Sequence, residues 1–446
     1  MTVLAQLAEL LVSQRERSPL PNDRERLAIH VLDTVGSWIG GCATDEGIKL
    51  SSLKSASPHG IPLLGNDPLD RIALGVATVR LTEIDDIHTT SCTTPSSVVV
   101  PTCLTLVARS GKRDAESFVQ ALCAGYEIMT RFGVAVDGPR IVYRGIWPTF
   151  LAAPMAAAAV TAGILSLDAT KTANALAIAL SLTSGALGVP IGQSPRWLFL
   201  GLAARNGCSA ALMANDGYAG DQTLLDGDWM TRKHGISCDV ATLLAAPSEG
   251  SVINTVSLKP YCAAKQCIAA IEAFRNLLTQ GITIDEIATA RVRVPPVYAA
   301  MIAHCHAADG RVPRITSAAY NLALAAYRPG ELTNISRPNL TADPQIAALM
   351  NRIEVCPDDE LSQHYPRHWP ARVDAELKNG RSVSNLVLDA PGDPAKAIAM
   401  SEALKKFHRL TNVIMGRSKG VELAQACLAS IEHIDALARL CAWVNT

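Results

Sequence analysis

Long stretches of this chain place apolar residues every three or four positions, with short polar breaks between them. In "PNDRERLAIHVLDTVGSWIGG", Leu27, Val31, Val35 and Trp38 share one helical face. Asn22 stands three residues before Glu25, the spacing of a capping box, and Gly40-Gly41 closes the run. The same period predicts helices over 114–131, 170–182 and 197–215, with alanine on their packing faces. Near Ser257 the period shortens to two. Val292 and Val294 alternate with arginines over 288–298, and "NRIEVCPDDE" reads as a further strand. Over 371–389 two alternating runs flank Asn379-Gly380, a dipeptide that readily takes φ > 0, which predicts a hairpin. Helical text resumes near Ser401. The pattern predicts a mainly α chain: a helical domain discontinuous in sequence, 1–256 and 399–446, with a smaller α+β domain inserted at 257–398. Ligands are expected where two such domains meet.

Composition narrows the class. Of 446 residues 49% are hydrophobic and 18% charged, and the formal net charge is −1. Such a chain has no electrostatic footprint for nucleic acid and no polybasic run for a membrane surface. The N-terminus lacks the basic start of a secretory signal and carries Glu9 in its apolar part. The 12 cysteines are scattered without metal-type C-x-x-C pairs, which predicts reduced, buried thiols in a cytoplasmic protein. The uncharged stretch 150–167 is barely long enough for a bilayer. Its alanines and Pro154 suit a small-residue helix packed in a soluble bundle better.

Against this background "TEIDDIHTTSCTTPSS" (82–97) is conspicuous. Glu83, Asp85 and Asp86 lie within six residues of His88, ahead of a run of hydroxyls. Carboxylates beside a histidine raise its basicity and fix its tautomer, one way to build a general base. A solvated acidic loop is the plainer alternative. Four other places hold candidate chemistry. Tyr143 and Arg144 precede the Ala-rich helix and either face a ligand or cap that helix. Arg196 follows a proline, as ion-pair partner or as ligand-binding cation. Lys259 stands at the entry to the α+β domain. Ser317 and Tyr320 are spaced i, i+3 on one helix face. His304-x-His306 is the only close histidine pair and has no third ligand, so no metal is expected. No G-x-G-x-x-G follows a strand, "LGVPIG" lacks the right context, and no G-x-S-x-G elbow occurs.

Six segments, in order, resemble the MmgE/PrpD family over nearly the whole chain. "LDTVGSWIGG" is similar to the family's "DTxGxxxAG", and "EIDDIHTTSCTTPS" to "EFDDTH…HPS". "GYEIMTRFG" is similar to "YEvxxRl", and "RGIWPTF" to "RGfHPT". "SLKPYCAAKQCIAAIEA" resembles "KpYPcCxxxHxxIdA", and "PGDPAKAIAMSEALKKF" resembles "GdPenPls…eL..KF". The resemblance implies a homodimer with an interdomain active site, acting on a small polycarboxylate without an organic cofactor. It implies dehydration, decarboxylation or epimerisation, each of which perturbs a carbon next to a carboxylate. Carried over residue by residue, it marks Glu83, Asp85, Asp86 and His88 as the acid cluster. It places Arg196 where a cation is expected, Lys259 on the "KpY" lysine and Tyr320 in the active-site cleft.

The departures are as informative. The histidine of "HPS" is Thr94 here, that of "HPT" is Trp147, and the one in the "KpY" segment is Gln266. A dehydratase needs a proton donor for the leaving hydroxide as well as a base. An epimerase needs a base, cations for the enolate-like dianion, and a proton returned to the other face. Among the reactions the resemblance implies, these departures favour epimerisation, and the resemblance then points to an iminodisuccinate-like substrate. His88, with Lys259, Tyr143 or Tyr320, would carry the protons, and Asp85 or Asp86 would orient His88. Arg196, Arg144 and Lys259 would hold carboxylates, with Glu83, Thr94 and Gln266 lining the site. A 2-methylcitrate-type hydro-lyase and a non-catalytic polycarboxylate-binding protein remain as alternatives.

Overall fold

The computed structural model describes residues 1–15, 19–55, 62–110, 114–183, 195–246 and 251–444. The "LGVPIG" stretch lies outside them. Within them the chain forms two compact units. One comprises 1–183, Pro195–Val256 and 399–444, the other Ser257–Ile398.

The principal helices of the first unit are α1 (Val3–Arg15), α2 (Pro21–Cys42), α3 (Pro68–Leu81), α4 (Pro95–Ser110), α5 (Ala115–Ala135), α6 (Pro148–Ile164), α7 (Ala169–Ser181) and α8 (Arg196–Asn215). The Ala-rich α6 is buried along almost its whole length at the centre of this bundle, against α5 and α8. Small residues make that possible. A Cβ on Gly207 of α8 would lie 2.0 Å from the Pro154 carbonyl of α6, and one on Gly201 2.0 Å from the Ala73 carbonyl of α3. Among the described residues no helix is long and apolar enough to cross a membrane.

Two details at α2 correct the sequence reading. The helix starts at Pro21, whose missing N–H suits the first turn, so Leu20 rather than Asn22 is the N-cap, with no side-chain cap. Gly40-Gly41 do not end it either. They allow close approach, because a Cβ on Gly41 would sit 2.4 Å from the Thr78 carbonyl of α3.

The second unit holds α9 (Lys265–Thr279), β1 (Ile287–Val294), α10 (Ala318–Tyr327), β2 (Ile353–Pro357), β3 (Ala371–Leu377) and β4 (Ser382–Val387). The sheet order is β2-β1-β3-β4, parallel between β1 and β2 and antiparallel elsewhere. Ala290, Val292 and Val294 point to the core, while Arg291 and Arg293 pair across the strands with Glu376 (2.8 Å) and Asp374 (2.5 Å). Gly380 turns the β3–β4 hairpin at φ 84°. The chain then returns to the first unit through α11 (Met400–Met415), α12 (Arg417–Ala429) and α13 (Ile434–Val444).

Candidate active site

The acid-rich loop between α3 and α4 is buried. Of residues 82–94 only Thr90 is partly exposed. That excludes the solvated-loop alternative, and burying three carboxylates is costly unless each has a partner. Arg80, on the last turn of α3, supplies two of them. Its Nη1 lies 2.9 Å from Glu83 Oε2 and 3.3 Å from Asp85 Oδ1. Burial opposes the guanidinium charge, but Asp85 and Glu83 outweigh that and push its pKa up. Glu83 and Cys92 both adopt left-handed backbone (φ 57° and 54°), conformations that cost of order 1 kcal/mol each in non-glycine residues.

Asp86 is paired differently. Its Oδ2 accepts from the Ser96 amide (2.9 Å) and lies 2.5 Å from the Ser96 hydroxyl in the first turn of α4, where free amides favour negative charge. Burial nevertheless raises its pKa to about 8, with repulsion from Asp85 adding to the shift.

Among the described residues no carboxylate meets either ring nitrogen of His88. Nδ1 lies 2.8 Å from Ser91 Oγ and Nε2 3.3 Å from Thr90 Oγ1, while its backbone N–H donates to the Thr93 carbonyl (2.8 Å). Burial lowers its pKa to about 4. The expectation that Asp85 or Asp86 orients His88 and raises its basicity is thus corrected. Asp85 belongs to Arg80, Asp86 to Ser96, and the imidazole is a neutral base held by hydroxyls.

Three residues that sequence reasoning did not single out complete this region. Tyr126 Oη (α5) and His30 Nδ1 (α2) lie 2.5 Å and 3.1 Å from Ser96 Oγ. Lys406 (α11) donates to the Ile84 carbonyl (2.6 Å) and pairs with Asp33 (2.7 Å), pinning the loop backbone to two helices. Each sits beside or within a segment quoted above for the family resemblance, and that was the available signal.

Two of the three segments in which the family carries histidines touch each other. Thr94 N–H donates to Thr149 Oγ1 (3.2 Å), and Thr94 Oγ1 lies 3.1 Å from Ser97 Oγ. Two residues before Thr149, the Trp147 ring carries the Arg196 guanidinium at 3.8 Å. Trp197 meets the same guanidinium at 4.3 Å and Arg80 at 5.1 Å. Arg196 is therefore a half-buried cation in the corner of two indoles tilted 58° to each other, within cation–π distance of both. Tyr143 is half-buried on the short turn before α6. Arg144 is exposed and donates to the Gly235 carbonyl (2.9 Å), which gives it a structural occupation instead of the carboxylate-binding one expected.

In the second unit Lys259 is buried before α9, and Gln266 is buried in its first turn. Tyr320 has a different fate. Its hydroxyl donates to the Pro338 carbonyl (2.5 Å) and accepts from the Leu340 amide (3.2 Å), and its side chain is fully buried. Both bonds serve the backbone, so the expected role as proton carrier is replaced by a structural one. Ser317 is the N-cap of α10 and accepts from the Tyr320 amide. His304 and His306 stack at 6.0 Å, and no metal-binding group of His, Cys, Asp or Glu occurs among the described residues.

The MmgE/PrpD N-terminal domain matches residues 5–235 and the MmgE/PrpD C-terminal domain residues 261–430. A cis-aconitate decarboxylase-like protein, oryM, of Aspergillus oryzae is 23% identical over 395 residues, 82% of this chain and 80% of the relative. A cis-aconitate decarboxylase of Aspergillus terreus is 22% identical over 445 residues, 92% of this chain and 89% of the relative.

Proposed function

This chain belongs to the MmgE/PrpD family, and from that premise we propose that it is an enzyme epimerising a small imino- or amino-polycarboxylate of the iminodisuccinate type. His88, unprotonated at neutral pH, removes the proton from the carbon next to a carboxylate. The electron pair moves into that carboxylate, and the stacked Arg196 guanidinium holds the resulting dianion through bidentate hydrogen bonds. Tyr143 is the residue put forward for returning a proton to the opposite face.

The observation that carries this reading is what has become of the family's histidine positions. Thr94 is tied to Thr149 and Ser97, and Trp147 is a platform for Arg196, so neither can protonate a leaving hydroxide. Epimerisation expels nothing and needs no such donor. A lyase acting on a related polycarboxylate is the second reading, favoured by the decarboxylase names of the relatives that span most of the chain.

Proton NMR in D₂O with iminodisuccinate, 2-methylcitrate, citrate and cis-aconitate separates them. Loss of the α-proton signal with interconversion of stereoisomers and no new vinyl resonance supports the epimerase. New vinyl resonances from a hydroxy acid, or loss of CO₂ from cis-aconitate, would replace it with the lyase.

A further inference from the structure

The Ser96 hydroxyl is fully buried and meets three polar partners: Asp86 Oδ2 at 2.5 Å, Tyr126 Oη at 2.5 Å and His30 Nδ1 at 3.1 Å. A serine hydroxyl has one proton and two lone pairs, so all three contacts can be satisfied together only in restricted ways. Tyr126 donates whenever Ser96 donates to Asp86 or to His30, and those two arrangements form a line from Asp86 through Ser96 to His30 that can run in either direction. With the proton on Asp86, Oδ2–H donates to Ser96 Oγ, and Ser96 donates to His30 Nδ1. With the proton on His30, Nδ1–H donates to Ser96 Oγ, and Ser96 donates to a carboxylate.

We propose that Ser96 is a two-way proton relay between Asp86 and His30, with Tyr126 as the fixed donor, and that its resting form holds the proton on Asp86. In the transfer the Asp86 Oδ2–H bond breaks as Ser96 Oγ takes that proton. The proton formerly on Ser96 passes to His30 Nδ1. Charge ends as a carboxylate and an imidazolium, and nothing is oxidised or reduced.

The surroundings choose the resting form. Asp86 Oδ1 and His30 Nε2 are both buried without a hydrogen-bond partner among the described residues, which makes separated charges costly there. The nearby cations pair first with other carboxylates, Arg80 with Glu83 and Asp85 and Lys406 with Asp33, and Asp86 is the weakest of the three carboxylates acting on Arg80. Asp85 and Asp33 repel a carboxylate at Asp86, while Arg26 and Lys406 repel an imidazolium at His30. Burial raises Asp86 and lowers His30, in agreement with the hydrogen-bond inventory. The other titratable neighbours act on Tyr126: Asp86, Asp33 and Cys123 together with burial hold it un-ionised.

Ser96, Tyr126 and His30 are positioning residues. They fix where the Asp86 proton can go, while burial, Asp85 and Asp33 raise the Asp86 pKa against the lowering effect of the Ser96 hydrogen bonds. The inference rests on the reading of this loop as the proton-transfer site, but its test needs no substrate.

Infrared difference spectroscopy of the whole protein, wild type against Asp86→Asn, isolates the Asp86 carboxyl. A protonated C=O band at pH 7 that fades with a midpoint about pH 8 is expected. Absence of any Asp86-dependent acid band at pH 7 would overturn the proposal. Imidazole ¹⁵N shifts of wild-type protein provide an independent reading should Asp86→Asn fail to fold. His30 is expected as the neutral Nε2–H tautomer at pH 7, and an imidazolium or the Nδ1–H tautomer would overturn it. Ser96→Ala should abolish that tautomer preference and Ser96→Thr restore it. An unchanged His30 tautomer in Ser96→Ala would show that Ser96 relays nothing.

Discussion

The acid loop of the first unit and the Tyr320 cluster of the second are both buried, polar and built around a short helix entry, yet they use their polar groups in opposite ways. Around Tyr320 the side chains satisfy backbone. Tyr320 serves Pro338 and Leu340, Asn321 donates to the Ser317 carbonyl (2.7 Å), and the fully buried Arg337 donates to the Glu331 carbonyl (2.8 Å) and to Asn321. In the loop the titratable groups meet hydroxyls and one another, and burial shifts two of them, His88 further down and Asp86 up past neutrality. Polar burial alone therefore marks scaffold as readily as chemistry. The distinguishing feature is that titratable side chains meet hydroxyls and one another, with Asp86 carried past neutrality; positive φ does not separate the two regions, since Arg337 (φ 48°) has it as Glu83 and Cys92 do.

The contrast can be broken most sharply at His88. His88→Ala is expected to lower turnover by about 10²–10⁴, the usual cost of a lost general base, while leaving thermal unfolding close to wild type. Near-normal turnover in the folded variant would place the loop with the scaffold. Arg80→Ala should unfold more easily by roughly 3–5 kcal/mol, because Glu83 and Asp85 stay buried without their cation, and urea titration reads that directly. Tyr320→Phe is the mirror case. Denaturation should show a loss of about 1–3 kcal/mol from the two stranded backbone groups, with turnover per folded molecule retained. If turnover falls instead, Tyr320 is more than structural. The smallest effect is expected from Trp147→His, which removes one of the two indoles beside Arg196. Calorimetric affinity for a dicarboxylate such as succinate should weaken by a factor of about 2–5, equivalent to roughly 0.5–1 kcal/mol.

Much of the fold was legible because it follows from local periodicity. The Ala-rich core helix, the alternating Val292-Arg293-Val294 strand and the Asn379-Gly380 hairpin all announce themselves within ten residues. The loop was legible as a place but not as a circuit. Proximity in sequence linked Asp85 and Asp86 to His88, whereas helix geometry at the end of α3 gives Glu83 and Asp85 to Arg80, and the first turn of α4 takes Asp86. The remaining partners come from far along the chain: His30 is 66 residues from Ser96, Tyr126 is 30, and Lys406 is 322 from Ile84. No spacing rule reaches that far. Asn22 failed as a cap for a simpler reason, since Pro21 already sets the first turn.

The two shifted groups of the loop work in opposite senses on pH. The folded pKa of His88 lies below its ordinary value, so the folded chain keeps the base form, and the stability tied to it is present above about pH 6.5 and lost as pH falls toward about 4. Asp86 lies above its ordinary value, so its contribution is present at acid pH and lost as pH rises through about 8. The most direct test is the pH dependence of α-proton exchange of iminodisuccinate in D₂O, wild type beside His88→Ala. Exchange by the wild type that holds level from about pH 8 down to pH 5, and falls by about 10²–10⁴ in the variant, is the predicted result. Half-loss of exchange near pH 6.5, or equal rates in the two proteins, would contradict a buried neutral imidazole as the base.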